Sequence, residues 1–307
     1  MKKEEADYIK IMSDCTLCPR NCHADRLGRK TGYCGQTAEI KAARAALHFW
    51  EEPCISGDNG SGTVFFSGCV LRCVFCQNRN IAESRAGREI TVERLADIFL
   101  ELQEKKANNI NLVTPTHFVP QIALALERAK EAGLRIPVVY NTGSYEKADT
   151  LKRMDGLVDI YLPDMKYVSP ALAQRYSHAP DYFETASLAV EEMVRQVGEP
   201  VFDGNTGLMK KGVIVRHLVL PGCTADSKKV IRYLYQTYGD RIFISIMNQY
   251  TPIGEFPEFT ELNRRVSRRE YDRVVDFALE LGVENGFIQE GETAEESFIP
   301  EFDGEGL

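Results

Sequence analysis

The chain has 307 residues, of which 44% are hydrophobic and 27% charged, an ordinary globular composition. Its net charge of −8 argues against a nucleic-acid surface, because phosphate binding needs clustered positive charge. No apolar run approaches the roughly 20 residues that span a bilayer, and the first residues lack the apolar core of a signal peptide. We therefore expect a cytoplasmic protein without nucleic-acid or membrane partners. In that compartment its nine cysteines are metal ligands or buried thiols rather than disulfides.

Four cysteines near the N-terminus, Cys15, Cys18, Cys22 and Cys34, follow a C-x2-C-x3-C-x11-C pattern. Few apolar residues lie between them, so burial of side chains alone cannot stabilise this segment. A bound metal would hold it in one conformation. Structural zinc, an auxiliary iron–sulfur cluster and free thiols all stay open as interpretations. We assign residues 1–60 to an N-terminal cysteine-rich module and its connector, and we expect residues 56–62 to be flexible.

A second group, Cys69, Cys73 and Cys76, has a C-x3-C-x2-C spacing directly after a predicted strand at 63–67. The thiols thus lie on a loop at the C-terminal end of a strand, where α/β folds place their chemistry. Three thiolates can hold three corners of a [4Fe–4S] cluster and leave one iron open, whereas four saturate it. A zinc loop is the alternative, but zinc loops usually use C-x2-C pairs, and no such pair follows.

From this loop onward, predicted strands alternate with predicted helices. The strands are 63–67, 110–114, 136–140, 157–162, 213–219 and 241–247, and the helices are 91–106, 119–132, 182–197, 227–238 and 267–281. Ser267 and Glu270 predict a capping box at the start of the last helix. The strands are rich in β-branched residues and nearly continuously apolar, which indicates a parallel sheet covered on both faces. A doubly wound sheet and a partial barrel both fit this pattern. A short extra strand at 286–289 precedes an acidic tail, 291–307, which is either a surface strap or a solvated segment.

With Phe75 at the aromatic position, the second cysteine group resembles the radical S-adenosylmethionine (SAM) superfamily signature C-x3-C-x-φ-C. Five segments at the ends of predicted strands extend the resemblance. More narrowly, these segments resemble proteins related to pyruvate formate-lyase activating enzyme. These segments are V-T-P-T-H-F-V-P-Q at 113–121, Y-N-T-G-S-Y at 140–145, D-I-Y-L-P-D-M-K-Y at 159–167, V-R-H-L-V-L-P-G at 215–222 and I-S-I-M-N-Q-Y-T-P at 244–252. The resemblance implies an α/β fold, with a partial (β/α)6 TIM-like barrel over residues 61–290.

The resemblance also implies site residues. Cys69, Cys73 and Cys76 would be the catalytic cluster ligands, and the expected SAM contacts are Phe75, Asn78, Thr116, Asp164, Lys166, Arg216 and Gln249. Asp164 and Lys166 match a D-x-K motif that contacts the methionine end of SAM. Activating enzymes carry G-G-E after the second strand, whereas this chain has T-P-T-H-F at 114–118, so Thr116 and His117 are the candidate substitutes. His217 should point away from Arg216, into packing.

The activity implied is reductive cleavage of SAM to a 5′-deoxyadenosyl radical, which abstracts hydrogen from a small molecule, a peptide or a protein glycine. The last of these would make the enzyme a glycyl-radical activase, an oxidoreductase in class. A low-potential electron donor such as flavodoxin or ferredoxin is the expected partner, under anaerobic conditions. The alternative is a non-catalytic iron–sulfur or zinc protein that serves in electron transfer or as a scaffold.

Overall fold

The protein forms an open, mainly parallel α/β sheet. The computed structural model describes residues 8, 10–289 and 299–307. Its strands are β1 (Ile40–His48), β2 (Ser61–Phe66), β3 (Arg88–Ile90), β4 (Ile110–Val113), β5 (Val138–Thr142), β6 (Ile160–Pro163), β7 (Val201–Phe202), β8 (Met209–Leu218), β9 (Phe243–Met247) and β10 (Gly286–Ile288). All six strands predicted from Thr63 onward are present, with ends shifted by a few residues.

The strand order is β10-β9-β8-β6-β5-β4-β2-β1-β3, and β7 pairs on the side with β8. Strands β2, β4, β5, β6, β8, β9 and β10 run parallel, whereas β1 is antiparallel to β2 and β3 is antiparallel to β1. The sheet does not close, since β10 and β3 lie at its two ends. The α/β partial-barrel prediction is therefore confirmed, including the short extra strand after the last helix.

The helices are α1 (Pro53–Ser56), α2 (Arg79–Ala82), α3 (Val92–Glu104), α4 (Val119–Glu131), α5 (Ala148–Leu151), α6 (Pro170–Ser177), α7 (Tyr182–Val197), α8 (Thr224–Tyr238) and α9 (Arg268–Leu281). The predicted capping box of α9 is confirmed: the Ser267 side chain accepts from the Glu270 backbone, and the Glu270 side chain accepts from the Ser267 backbone. None of the helices in the described ranges is long and apolar enough to cross a membrane.

Strand β1 is a correction to the sequence interpretation, because it lies inside the segment taken as a connector. Its sequence, I-K-A-A-R-A-A-L-H, is rich in alanine, which is depleted in strands, so propensity gave no signal. Pairing with β2 determines its conformation instead, for example Ala46 opposite Thr63. The supposedly flexible stretch 56–62 is also ordered: Ser56 is buried in α1, and Ser61 and Gly62 begin β2.

Residues 299–307, part of the predicted acidic tail, lie along β1. The Ala45 amide donates to the Glu305 carbonyl at 2.8 Å, and the Gly304 amide donates to the Ala43 carbonyl at 3.0 Å. The ring of Phe302 packs edge-on against Phe65, 5.4 Å between centroids. We call this segment the strap. The remainder of the predicted tail, up to residue 298, lies outside the described residues.

Candidate active site

The loop after β2 carries Cys69, Cys73 and Cys76. It begins at Gly68, whose φ of +89° favours glycine and whose Cβ position would lie 2.6 Å from the Cys34 carbonyl oxygen. The Ser177 hydroxyl donates to Cys73 Sγ at 3.0 Å, and the Leu71 amide donates to Cys69 Sγ at 3.4 Å. Both sulfurs thus accept hydrogen bonds from the protein.

Burial governs the protonation of these thiols. It raises the pKa of Cys73, and it raises the pKa of Cys76 to about 12, with the neighbouring cysteines adding to the effect at Cys76. Thiols in such a site are neutral at pH 7 until a metal takes the proton's place, because the metal ligand is the thiolate. The donor set therefore suits a thiolate-bound metal group.

Phe75, between the second and third cysteines, is buried between two aromatic rings. Its centroid lies 6.3 Å from that of Tyr176 and 6.3 Å from that of Tyr250, both edge-on. Tyr250 is itself fixed by its hydroxyl, which donates to the Leu262 carbonyl at 2.7 Å. The aromatic position of the motif therefore anchors the cysteine loop to α6 and to the chain that follows β9.

One cavity of about 510 Å³ runs from the cysteine loop into the interior of the partial barrel. Its polar and sulfur-bearing lining residues are His48, Glu51, Glu52, Cys73, Cys76, Gln77, Asn78, Asn141, Asp164, Lys166, Arg216, Ser245, Gln249 and Gln289. Its apolar lining includes Trp50, Phe65, Val113, Leu218, Met247, Phe287, Ile288, Ile299 and Pro300. The cavity thus brings together most of the residues predicted to contact SAM.

Asp164, Lys166 and Arg216 form one ion-pair network in this cavity. Lys166 Nζ donates to Asp164 Oδ2 at 2.7 Å, and Arg216 Nε donates to Asp164 Oδ1 at 3.0 Å. Burial alone would raise the pKa of Asp164, but the two cations outweigh it and lower this pKa. The carboxyl is therefore ionised at neutral pH, and so each of its oxygens can hold a cationic side chain in place.

Glu51 is a site residue that the sequence interpretation missed. Its Oε2 accepts from Arg216 Nη1 at 3.0 Å, and its Oε1 accepts from Asn111 Nδ2 at 2.9 Å and Asn141 Nδ2 at 3.2 Å. After β1 the chain turns under the barrel, and this turn places the Glu51 carboxylate at the cavity. An acidic pair, Glu51-Glu52, between the only tryptophan and a proline was the available signal.

Thr116 departs from the prediction, because it does not line the cavity. The hydroxyls of Thr116 and Thr142 both donate to Glu146 Oε1, each at 2.6 Å. Both therefore bind a fully buried carboxylate on the other side of the strands. Burial raises the pKa of Glu146 to about 7. His117 is also buried and bonds to the Ser67 carbonyl at 2.7 Å, outside the cavity lining.

The other predicted contacts lie where the motifs place them. Asn78 lines the cavity at the start of α2, and Gln249 lines it after β9, where its Oε1 accepts from Gln289 at 3.0 Å. His217 points into packing, with Nδ1 bonded to the Met165 carbonyl at 2.7 Å. These positions leave Asn78 and Gln249 available to a ligand.

A fully buried arginine, Arg26, lies beside Cys15, one of the four N-terminal cysteines. Arg26 donates to the carbonyls of Thr37 and His117 and lies 3.8 Å from Cys15 Sγ. A Cβ at Gly32 would lie 2.9 Å from Cys22 Sγ and 3.7 Å from Cys34 Sγ. Across the described ranges, no group of three or more His, Cys, Asp or Glu side chains has the arrangement that holds a metal ion.

Arg20, within the same module, contacts the loop with Cys69, Cys73 and Cys76 directly. Its Nε donates to the Val70 carbonyl at 2.8 Å, and its Nη2 donates to the Ser177 carbonyl at 3.0 Å. Its guanidinium also lies over the rings of Tyr33 and Tyr145. The module and the loop with Cys69, Cys73 and Cys76 are therefore one packed unit.

Comparison with known proteins gives matches over most of the chain. A sequence model of the radical SAM superfamily matches residues 63–234. An uncharacterized protein of Methanocaldococcus jannaschii is 27% identical over 282 residues, 87% of this chain and 75% of that protein. Pyruvate formate-lyase 1-activating enzyme of Escherichia coli K12 is 48% identical over 31 residues, 10% of this chain and 13% of that enzyme.

Solved structures give a similar fold at low identity. Streptococcus suis SuiB bound to S-adenosylmethionine aligns with a TM-score of 0.50 and 14% identity, over 72% of this chain and 48% of that one. A radical SAM methyltransferase from Sphaerobacter thermophilus aligns with a TM-score of 0.49 and 14% identity, over 75% and 66%. The chain thus spans about half to two thirds of the length of these structures.

Proposed function

The chain belongs to the radical SAM superfamily, and from this premise we propose that Cys69, Cys73 and Cys76 hold a [4Fe–4S] cluster beside a cavity that binds SAM. The cluster and SAM, when bound, supply a 5′-deoxyadenosyl radical for hydrogen abstraction. One observation carries the proposal: the cluster loop, the D-x-K pair and the barrel interior share a single cavity. A cubane spreads its thiolates over several iron atoms, so the absence of a single-ion arrangement among the described cysteines does not conflict with it.

The chain's own residues would bind and orient SAM. Lys166 can face the SAM carboxylate, since a lysine has three donors and Asp164 takes one of them. Asn78 and Gln249 offer amide groups to the polar parts of the ligand. Arg216 ties this group to Glu51 and Asn141 below, so the network is rigid and charge-balanced.

We propose a small molecule or peptide as the substrate, bound in the barrel interior. Support comes from the strap, since Ile299 and Pro300 line the cavity and Phe302 packs on Phe65 at the open side. A protein glycine loop would have to enter beside these residues. The 31-residue match to an activating enzyme favours a second candidate, the glycyl-radical activase.

We also propose that Cys15, Cys18, Cys22 and Cys34 hold a second metal group, either zinc or an auxiliary iron–sulfur cluster. A buried guanidinium needs a counter-charge, and Arg26 has no carboxylate partner in the described part of the chain. Metal-bound thiolates would supply that charge. The electron donor that this chemistry requires would be a low-potential protein such as flavodoxin or ferredoxin.

The test begins with anaerobically reconstituted protein. The reduced cluster should give an S = 1/2 signal that SAM perturbs, and the protein should produce 5′-deoxyadenosine. The Cys69→Ala, Cys73→Ala and Cys76→Ala variants should not, whereas Cys223→Ala, a thiol outside the cavity lining, should behave as wild type. An unperturbed signal would instead support an electron carrier.

Deuterium-labelled cell extracts separate the substrate classes. Label transferred into 5′-deoxyadenosine from the low-molecular-weight fraction supports the small-molecule proposal. A stable glycine-centred doublet on a large protein, without such transfer, would overturn it in favour of the activase.

A further inference from the structure

Building on the proposed function, we infer that the floor of the cavity binds a cationic amine through the carboxylate of Glu52. The amino group of SAM and an amine on the substrate share this chemistry. The inference rests on the position of Glu52, on the charge pattern of the cavity and on the aromatic side chains that line the same cavity.

Glu52 is held at the bottom of the barrel by the short helix α1, which begins at the next residue. Its backbone carbonyl accepts from the amides of Ile55 and Ser56 at 2.7 and 3.1 Å. Ile55 and Cys54 pack beneath the parallel strands, in a buried cluster with Val139, Ile160, Leu162, Met209 and Ile214. The backbone of Glu52 is therefore fixed, and its side chain lines the cavity floor.

Glu52 is the cavity carboxylate that neither described cation of the lining contacts directly, since Arg216 acts on it only at longer range. Five charged side chains line the cavity: Glu51, Glu52, Asp164, Lys166 and Arg216. Arg216 contacts both Glu51 and Asp164, and Lys166 contacts Asp164. Glu52 makes no ion pair within the described residues. The cavity lining therefore holds three carboxylates and two cations. A positively charged ligand would complete the balance.

The second observation is an unpartnered atom. Glu52 is 8% exposed, and its Oε2 lacks a hydrogen-bond partner within residues 8, 10–289 and 299–307. Burial raises the pKa of this carboxyl group, and the charge of Arg216 offsets the shift only in part. Burying such an oxygen without a donor costs about 1–3 kcal/mol, which a ligand N–H would recover.

The cavity also carries aromatic rings, which suit a cation. Trp50, Phe65 and Phe287 line the cavity together with Glu52. The faces of aromatic rings attract ammonium groups, most strongly once these are removed from water. A hydroxyl ligand could also donate to Glu52, but it would neither balance the charge nor gain from the rings. An alkylammonium fits all three features.

The fluorescence of Trp50 reports on this site, because Trp50 is the only tryptophan in the chain and lines the cavity. We would titrate the cluster-loaded protein anaerobically with n-butylammonium chloride at constant ionic strength, with n-butanol as the uncharged comparison. Butylammonium should change the emission saturably and butanol should not. Glu52→Gln should weaken butylammonium binding at least tenfold. Glu89→Gln, an exposed carboxylate on β3, should bind as wild type.

Competition with SAM shows whether Glu52 binds the amino group of SAM or an amine of the substrate. If Glu52 holds the amino group of SAM, butylammonium should compete with SAM, and Glu52→Gln should raise the Kd for SAM about tenfold. If it holds a substrate amine, butylammonium should bind with SAM already present, and the Kd for SAM should not change. Either result supports an amine site.

Two results would overturn the inference: equal responses to butylammonium and butanol, or unchanged butylammonium binding in Glu52→Gln. The comparison of the two probes on wild-type protein decides the matter even if Glu52→Gln fails to fold. Since no step requires SAM cleavage, failure here is distinct from failure of the proposed reaction.

Discussion

Replacing Lys166 with methionine tests whether the ion-pair network recognises SAM. The substitution keeps an unbranched side chain and removes the ammonium group. In the structure that group donates to Asp164 at 2.7 Å and lines the cavity beside Cys73 and Cys76. Asp164 keeps Arg216 at 3.0 Å after the change, so the fold retains an ion pair at this point.

The expected loss of SAM affinity follows from the loss of one hydrogen bond to a charged group. Such a bond contributes about 1.5–3 kcal/mol, so losing the contact to the SAM carboxylate should raise the Kd for SAM roughly 10- to 150-fold. Asp164→Asn should weaken SAM binding at least as much, because it releases both Lys166 and Arg216 from their shared carboxylate. Lys211→Met, at an exposed position on β8, is the matched control and should leave the Kd unchanged.

Calorimetric titration of SAM into anaerobically reconstituted protein measures this effect directly. Each variant must first be shown to carry a full cluster by its iron content and absorption. A Kd within twofold of wild type in both Lys166→Met and Asp164→Asn would refute the reasoning. The pair would then only support the end of β6.

Three further predictions address the surroundings of the site. The triple variant Cys69→Ala, Cys73→Ala, Cys76→Ala should retain bound iron or zinc at the N-terminal cysteines, and finding neither metal by elemental analysis would contradict the second-site proposal. Arg20→Met should lower cluster occupancy and speed cluster loss under air, measured by absorption, since it removes the bonds to Val70 and Ser177. Burial raises the pKa of Glu146 from 4.5 to about 7, so its contribution to the free energy of unfolding is present below pH 4.5 and is lost as pH rises through 7. Chemical denaturation should show that Glu146→Gln loses this dependence, about 3 kcal/mol over the interval, and parallel pH profiles would contradict it.

Local patterns predicted the parts of the site that lie close together in sequence. The cysteine spacing follows a buried strand, and Asp164 and Lys166 are two residues apart, so both features appear in a short window. The strands and the helix caps were predicted for the same reason, as in the capping box at Ser267.

Contacts between residues far apart in the sequence could not be predicted from such short windows. Glu51 meets Arg216 across 165 residues, and it does so only because alanine-rich β1 pairs with β2 and turns the chain under the barrel. Thr116 illustrates the opposite case. A sequence position after the second strand suggested the cavity, but the buried carboxylate of Glu146 holds its hydroxyl elsewhere.

The strap also covers backbone groups near one end of the sheet. Strand β1 has nine residues and lies near one end of the sheet, where β3 covers only Ile40 to Ala42. The backbone bonds from Gly304 and Glu305 occupy the next stretch, at Ala43 and Ala45. Removing residues 299–307 would free the Ala45 amide and the Ala43 carbonyl on a largely apolar strand, which is a template for edge-to-edge pairing with another chain. A protein that lacks these residues should therefore form oligomers through β1 before it loses its cluster chemistry.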